Sequence, residues 1–511
     1  MGNSIIDFPN SMSRLVRFIV LSLTAISIAS AQPSNVAPVA TLTLEDAIVR
    51  ALQKNFSLQI ESYDTVTAEA QVDLADSDFD PSFSVNATKN LNQQASPDSI
   101  LDGTNIVGPR TDRDTLRVTA NQQIAATGAR LQVGSNLRRS KTNSRNALIN
   151  PAYNSDAFVS INQPLLKGFG SENTKAALNR ARIGLKRAGH DYRAAVLDVV
   201  RNVEVAYFNL ASAREQLKVR IFSRDVAQKL LEENQAKKDS GVATDLDVLQ
   251  AQFGVANAER DILLSAQTVQ NREDQLLALI DQFGFSEGVA QVDLGEPNFT
   301  PVAFDYSYKL ARENRPDYAS AELLIEQLRI SERVAKGNKK PQLDLGASLG
   351  LNNIQASGSN AVSELWSGDG YSWGLELALT VPWGLRDEKA RHAQAVASLG
   401  REQTRLLQLE QRILVDVRSA IRTVETNVEA LRITRLSTAL SEQQFELEKA
   451  RFDAGLSTFR RVQESQEDLD TARVREVQAE VSLAIARAEL ARLEGSSLER
   501  YSAELIEPKL D

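Results

Sequence analysis

From residue 371 to residue 383 every odd position is large and apolar (Tyr371, Trp373, Leu375, Leu377, Leu379, Val381, Trp383), and every even position is small or polar. A period of two places one side chain type on each face of a strand. With Tyr371, Trp373 and Trp383 bracketing the apolar face, the run predicts a tilted membrane strand with aromatic residues at both interfaces. Residues 341–352 alternate the same way, with Leu343, Leu345, Ala347, Leu349 and Leu351 on one face. The two segments read as an up-and-down pair, joined by a Ser-, Gly- and Asn-rich external loop over 353–370. Weaker alternation occurs at Phe83, Val85 and Ala87; at Leu116, Val118 and Ala120; at Leu131, Val133 and Leu137; and at Ala157, Val159 and Ile161. A soluble sandwich strand alternates too, so the aromatic bracket is what favours membrane.

Elsewhere the period changes. No proline occurs between Pro164 and Pro297, nor between Pro382 and Pro508, and very long helices are permitted only there. Residues 171–240 and 386–454 are dense in Ala, Leu, Arg, Glu and Gln, and helices of that size are roughly 100 Å long at about 1.5 Å per residue. Val196, Val199, Val203, Ala206, Leu210, Ala213 and Leu217 recur at intervals of three and four, as do Val417, Ile421, Val424, Val428 and Leu431. A mean spacing of 3.5 specifies left-handed coiled packing. Each long helix is expected to end at a glycine, Gly241 or Gly455, and to turn back into a second helix capped by a Thr or Asp, giving two antiparallel hairpins.

These landmarks repeat in order along the two halves, at offsets of 260 residues for the early ones and 218 and 214 for the later ones. An insertion of about 42 residues in the first half accounts for the change and indicates a two-repeat architecture. The inserted part holds an alternating pair, 115–124 and 129–138, either two additional wall strands or an appended hairpin.

Ahead of the first repeat, Arg14 and Arg17 precede a short apolar run ending at Ala29-Ser30-Ala31, the pattern of a cleaved export signal over residues 1–31. The run is shorter than the roughly 20 residues an anchoring helix needs. The expected layout is a first repeat over 32–295 with its hairpin at 171–283, a second over 296–496 with strands at 341–383 and a hairpin at 386–494, and a tail over 497–511.

Composition narrows the chemistry. The 511 residues include no cysteine, which excludes disulfides, thiol catalysis and cysteine-ligated metals. The two histidines, His190 and His392, lie in different halves and leave little for a histidine-based centre. Lys and Arg total 58 against 67 Asp and Glu, and the net charge of -9 disfavours nucleic acid. Asp73, Asp76, Asp78 and Asp80 resemble a calcium loop, but Pro81 replaces the flexible glycine and residue 87 is alanine, so a solvated helix-to-strand junction is expected. No phosphate-binding glycine pattern or nucleophile elbow occurs, and no catalytic, cofactor or metal residue is expected.

Four segments in order carry a resemblance to a known family. They are residues 42–55 (Leu-Thr-Leu-Glu-Asp-Ala-Ile-Val-Arg-Ala-Leu-Gln-Lys-Asn), 162–168 (Asn-Gln-Pro-Leu-Leu-Lys-Gly), 241–252 (Gly-Val-Ala-Thr-Asp-Leu-Asp-Val-Leu-Gln-Ala-Gln) and 455–466 (Gly-Leu-Ser-Thr-Phe-Arg-Arg-Val-Gln-Glu-Ser-Gln). Over essentially the whole mature chain the sequence resembles the TolC family of outer-membrane efflux proteins. The resemblance implies an α+β fold: a homotrimer whose chains share one transmembrane β-barrel, continuous with a long antiparallel α-helical coiled-coil tunnel in the periplasm. It implies an exit duct for tripartite efflux or type I secretion, engaged by a periplasmic adaptor and an inner-membrane pump, surrounded by outer-membrane lipid and without a cofactor. Four strands per chain is usual there, and the inserted pair departs from that.

By the same resemblance the tunnel narrows beyond the tips, at Arg461 and Glu464 with Asp247 in the first repeat. Arg460 or Arg461 is expected to pair with Asp245, Asp247 or Glu464 across neighbouring hairpins and hold the tip shut. Gly241, Val242, Gly455 and Leu456 are expected to dock the adaptor, because close approach of helix tips needs small side chains and open backbone. A structural or adhesive surface protein on a coiled-coil stalk is the alternative.

Overall fold

The computed structural model describes residues 42–95, 107–144, 146–281, 292, 303–367 and 370–500. The expected export signal and the end of the tail lie outside them.

Each repeat opens on a helix pair. Helices α1 (Leu44–Lys54) and α2 (Phe56–Asp76) recur as α6 (Phe304–Asn314) and α7 (Pro316–Gly337), each start displaced by 260 residues. Thr43 caps α1, its hydroxyl accepting from the Asp46 N–H, while Asn55 ends α1 and caps α2 through the Ser57 N–H. In the second repeat Pro316 takes the first position of α7, where its missing N–H costs nothing. Asp73 and Asp76 fall in the last turns of α2 and Asp78 in the 3-10 turn that follows; among the described residues no metal-binding cluster forms.

Six strands follow: β1 (Ser82–Ala95), β2 (Val107–Gln123), β3 (Arg130–Thr142), β4 (Ala152–Pro164), β5 (Gln342–Gln355) and β6 (Tyr371–Thr380). They form one antiparallel sheet in chain order, β1-β2-β3-β4-β5-β6. The inserted pair is β2 and β3, and it lies within the sheet, paired to β1 on one side and β4 on the other. Strand β6 ends at Thr380, short of the expected Trp383. Pro382 offers no N–H to a ladder, and positive φ at Gly384 and Leu385 turns the chain into the next helix, so Trp383 stands on that turn, fully exposed. The expected loop over 353–370 is partly helical: β5 runs on to Gln355, then α8 (Gly358–Ser363) and a 3-10 turn (Glu364–Ser367) follow. Ala361 and Leu365 are buried, and Ser155 of β4 donates its hydroxyl to the Ala361 carbonyl.

Beyond the sheet a short turn, α3 (Ser171–Thr174), precedes α4 (Ala176–Asp239) and α5 (Asp245–Ile280); α9 (Arg386–Asp453) and α10 (Phe459–Glu494) repeat the hairpin, and α11 (Ser497–Arg500) closes the described chain. At 64 and 68 residues, α4 and α9 are roughly 96 and 102 Å long. Their partners α5 and α10, 36 residues each, reach only about 54 Å. The remaining length is covered by α2 and α7. Helix order is therefore α5-α4-α10-α9 toward the tips and α2-α4-α7-α9 toward the sheet. Where the two tiers meet, Lys54 pairs with Asp281 and the Asn55 amide donates to the Leu279 carbonyl at 3.2 Å. At the equivalent join in the second repeat Gly495, at φ +72°, backs onto Asn314 so closely that a Cβ would sit 2.9 Å from its carbonyl oxygen.

The heptad positions form the core. Val196, Val199, Val203, Leu210 and Ala213 are buried along α4, with Ala206 and Leu217 packed against them; Val417, Ile421, Val424 and Leu431 do the same on α9. Among the described residues no helix is long and apolar enough to cross a membrane.

Candidate functional site: a two-faced sheet and two hairpin tips

Hydrogen-bonded partners share a face, so register assigns every side chain. One row runs Phe83, Ala120, Val133, Val159, Leu349, Trp373; another runs Val85, Val118, Ser135, Ala157, Leu351, Tyr371. Phe83, Leu349, Trp373, Leu375 and Leu377 are all more than 60% exposed, so this face of the sheet is both apolar and open. On β5 it extends from Leu343 to Leu351, about 27 Å along the strand at about 3.4 Å per residue, a length suited to the roughly 25 Å apolar band of a membrane barrel once strands tilt. The band stops abruptly at the row Lys89, Asp114, Arg139, Tyr153. There Asp114 pairs with Arg139 at 2.8 Å and Lys89 at 3.5 Å, a polar rim at one end of the wall.

The opposite face is polar. Arg117 donates to Asn136 at 2.7 Å and Asn136 to Asp156 at 2.6 Å, a chain of polar groups across β2, β3 and β4. Ser84 and Thr119 bond across β1 and β2 at 2.7 Å. Phe158 is the large apolar group on this side; it lies over Gly134, where a Cβ would meet its ring at 2.6 Å. A sheet apolar outside and polar inside has the pattern of a water-filled wall in lipid.

At the opposite end are the tips. Helix α4 closes with Gly241 at φ +82°, its N–H bonded to the Lys238 carbonyl and the Val242 N–H to Lys237, both at 2.8 Å. Helix α9 closes identically: Gly455 at φ +74° bonds to Phe452 at 3.0 Å and Leu456 to Arg451 at 2.8 Å. Both are Schellman closures, in which the residue after the glycine commonly packs back on the helix. Here Val242 and Leu456 are instead 77% and 78% exposed. They present two apolar points at the turns that end the hairpins.

The charges expected at the constriction are largely occupied within the chain. Thr244 and Asp247 form a capping box, and hydrogen bonds from the Thr244 hydroxyl and N–H hold the Asp247 carboxyl below its usual range. Asp245 pairs with Lys238 across its own turn at 2.6 Å, and that bond pushes the Lys238 ammonium up. Arg460 pairs with Glu464 one turn along α10 at 2.9 Å, not with a residue of the other hairpin. Among the described residues Arg461 forms no ion pair; it is exposed, and it adds least to the lowering of the Glu448 carboxyl, which is due first to the Ser457 hydroxyl and then to Arg451.

The contacts that do tie the hairpins come from residues that sequence reasoning did not single out. Lys237 of α4 stands 3.3 Å from the centre of the Phe452 ring on α9. Farther from the tip, Ser223 donates to Asp470 and Gln466 donates to the Ser223 carbonyl at 3.0 Å, joining α4 to α10. Burial pushes the Asp470 carboxyl up, with the Ser223 hydrogen bond opposing. A further omission is the exposed stripe that continues Val242 along α5, namely Leu246, Leu249 and Phe253. Its 4-3-4 spacing was visible in the sequence, but caps dominate any reading of a turn.

Comparison with known proteins places this architecture. A family model described as outer membrane efflux protein matches residues 109–281 and 307–496. The pyoverdine export outer membrane protein OpmQ of Pseudomonas aeruginosa is 26% identical over 324 residues, covering 61% of this chain and 64% of its own length. The match thus spans less than two thirds of that relative. Among solved structures, the Campylobacter jejuni CmeC outer membrane channel aligns with a TM-score of 0.65 at 16% identity over 89% of this chain and 86% of its own. The open state of the Neisseria gonorrhoeae MtrE outer membrane channel aligns with a TM-score of 0.61 at 18% identity over 89% of each chain. At those identities the structures establish likeness of fold.

Proposed function

We propose, from the premise that this chain belongs to the outer membrane efflux protein family, that it is the exit duct of a tripartite efflux or type I secretion assembly. The outer membrane is its place. In this reading three copies surround one axis, their sheets forming a barrel in lipid and their helices a tunnel across the periplasm, and pump-delivered cargo passes through without chemical change. The carrying observation is the single sheet with one apolar, exposed face and one polar face, continuous with helices about 100 Å long that end in exposed tips. No single copy can close such a sheet, and open edges are not tolerated in lipid.

Gly241, Val242, Gly455 and Leu456 are proposed to receive a periplasmic adaptor, which in turn couples the duct to an inner-membrane pump. Their backbone turns are open and their side chains project into solvent. Arg461, unpaired within the chain among the described residues, is proposed to reach a carboxylate of the adjacent copy at the constriction, alongside Asp245, Asp247, Arg460 and Glu464. OpmQ exports pyoverdine by its name; the cargo of this chain is assigned to selection at its pump. Purified protein reconstituted in a planar bilayer is expected to conduct ions, and Arg461→Ala to raise conductance by loosening the constriction. An adhesive stalk would conduct nothing, and unchanged conductance in the variant would remove Arg461 from the lock.

A further inference from the structure

The two lateral sides of the chain are each incomplete in a way that the opposite side of another copy completes. In the sheet, β1 and β6 are edge strands. Because β1 follows α2 and β6 leads into α9, the same two sides continue below as α2 with α5, and as α9. Both carry exposed apolar residues at coiled-coil spacing: Leu249 and Phe253 on α5, Leu436 and Leu440 on α9. A helix with one apolar stripe buried and a second exposed has a place for one more neighbour.

Register supplies the geometry of closure. Starting at Phe83 near the foot of β1, the hydrogen-bonded row crosses the sheet to Trp373, near the far end of β6. The foot of β6 is at Leu379 and Thr380, six residues below Trp373, so with level feet the row climbs six residues over six steps, five within the sheet and one across the seam to the next copy. One residue of climb per strand, at about 3.4 Å against a strand spacing of about 4.8 Å, is a tilt of roughly 35°, within the range that closed barrels adopt. The stagger is even, so a β1 foot set beside a β6 foot keeps apolar against apolar: Phe83 opposite Leu379, Ser82 opposite Thr380.

We infer that β1 of one copy pairs with β6 of the next in that register, and that three copies close an 18-stranded barrel in which β2 and β3 are wall. This rests on the trimer proposed above. Both faces of the inserted strands obey the same alternation as their neighbours, with Leu116, Val118, Val133 and Leu137 outward and Arg117 and Asn136 inward, as wall strands must. At that tilt and spacing, eighteen strands enclose a backbone diameter of about 34 Å, against about 23 Å for the twelve that four strands per chain would give. The insertion therefore widens the outer-membrane end of the duct by about half.

Absence of native cysteine makes the seam directly testable. The full chain carrying Ser82→Cys together with Thr380→Cys is oxidised in outer membranes and run without reductant, beside a control carrying Ser82→Cys and Gly374→Cys, the positions an unstaggered seam would oppose. Native mass spectrometry of each variant in detergent reports assembly independently. A covalent trimer from the first pair and only monomer from the control is expected. Trimers by mass without the Ser82–Thr380 cross-link, or with cross-linking of the control pair instead, would overturn the 18-stranded seam while leaving the trimer standing. Monomers by mass would overturn the trimer itself, and this inference with it.

Discussion

At the tips, glycine is required by backbone geometry alone. A Cβ at Gly241 or Gly455 would meet nothing within 4 Å, yet both residues hold left-handed φ values. Alanine at either site is therefore expected to cost about 1 kcal/mol, the penalty of that conformation for an L-residue, measured as a fall in unfolding temperature. Gly495→Ala should cost more, because the added carbon would also collide with Asn314. Charge works in two opposite senses nearby. Asp247 is held low by Thr244, so the capping box supports the tip above the ordinary aspartate value and is lost as pH falls through the lowered one. Asp470 is held high by burial, so carrying its charge is a cost that is full above the raised value and relieved on acidification toward the ordinary 3.8. Asp470→Asn should thus raise the unfolding temperature at pH 7 and remove the gain the unaltered protein shows on mild acidification; a variant less stable at pH 7 would contradict that assignment. The glycine turns and a capping Thr were legible from sequence, but the charge environments were not, because there Asp245, Asp247 and Asp470 look alike. What separates them is a cap, a lysine across a turn, and a neighbour about 250 positions away.

Among the elements, helices are the part that sequence patterns describe best, because a 3.5-residue spacing and the lack of proline are local properties. The buried seam of α4 coincides with the spaced valines and leucines, and the repeat offset of 260 fits α1, α2 and β1 against α6, α7 and β5. Strand ends were less legible. Alternation continues through Val381 to Trp383, but Pro382 cannot join a ladder, and that local rule prevails over the longer pattern. Alternation alone does not say whether β2 and β3 join the sheet or stand apart, because strand order depends on pairing with distant β4, which alternation does not encode. Two substitutions separate the buried seam from the exposed one. Leu210→Ala should destabilise the chain by about 3 kcal/mol, as for a fully buried leucine. Leu440→Glu, on an exposed stripe, should leave helix content by circular dichroism unchanged while reducing the trimer fraction seen by native mass spectrometry. Loss of helix content in Leu440→Glu would place that residue in the chain's own core instead.

For the molecule as a whole, the chain presents a sheet with two edges, outer helices with exposed apolar stripes, and an exposed apolar sheet face that suits hydrocarbon rather than water, and the proposed trimer covers the first two. In the sequence, the duplication of landmarks implies two repeats and the family resemblance implies the trimer, while the tip contacts through Lys237 and Phe452 are invisible there because they join residues 215 positions apart. Analytical ultracentrifugation of the purified protein, with and without detergent, tests the shared-wall claim most directly. The expected result is a detergent-dependent species with three times the chain mass that precipitates when detergent is withdrawn; a monodisperse, water-soluble monomer would contradict it.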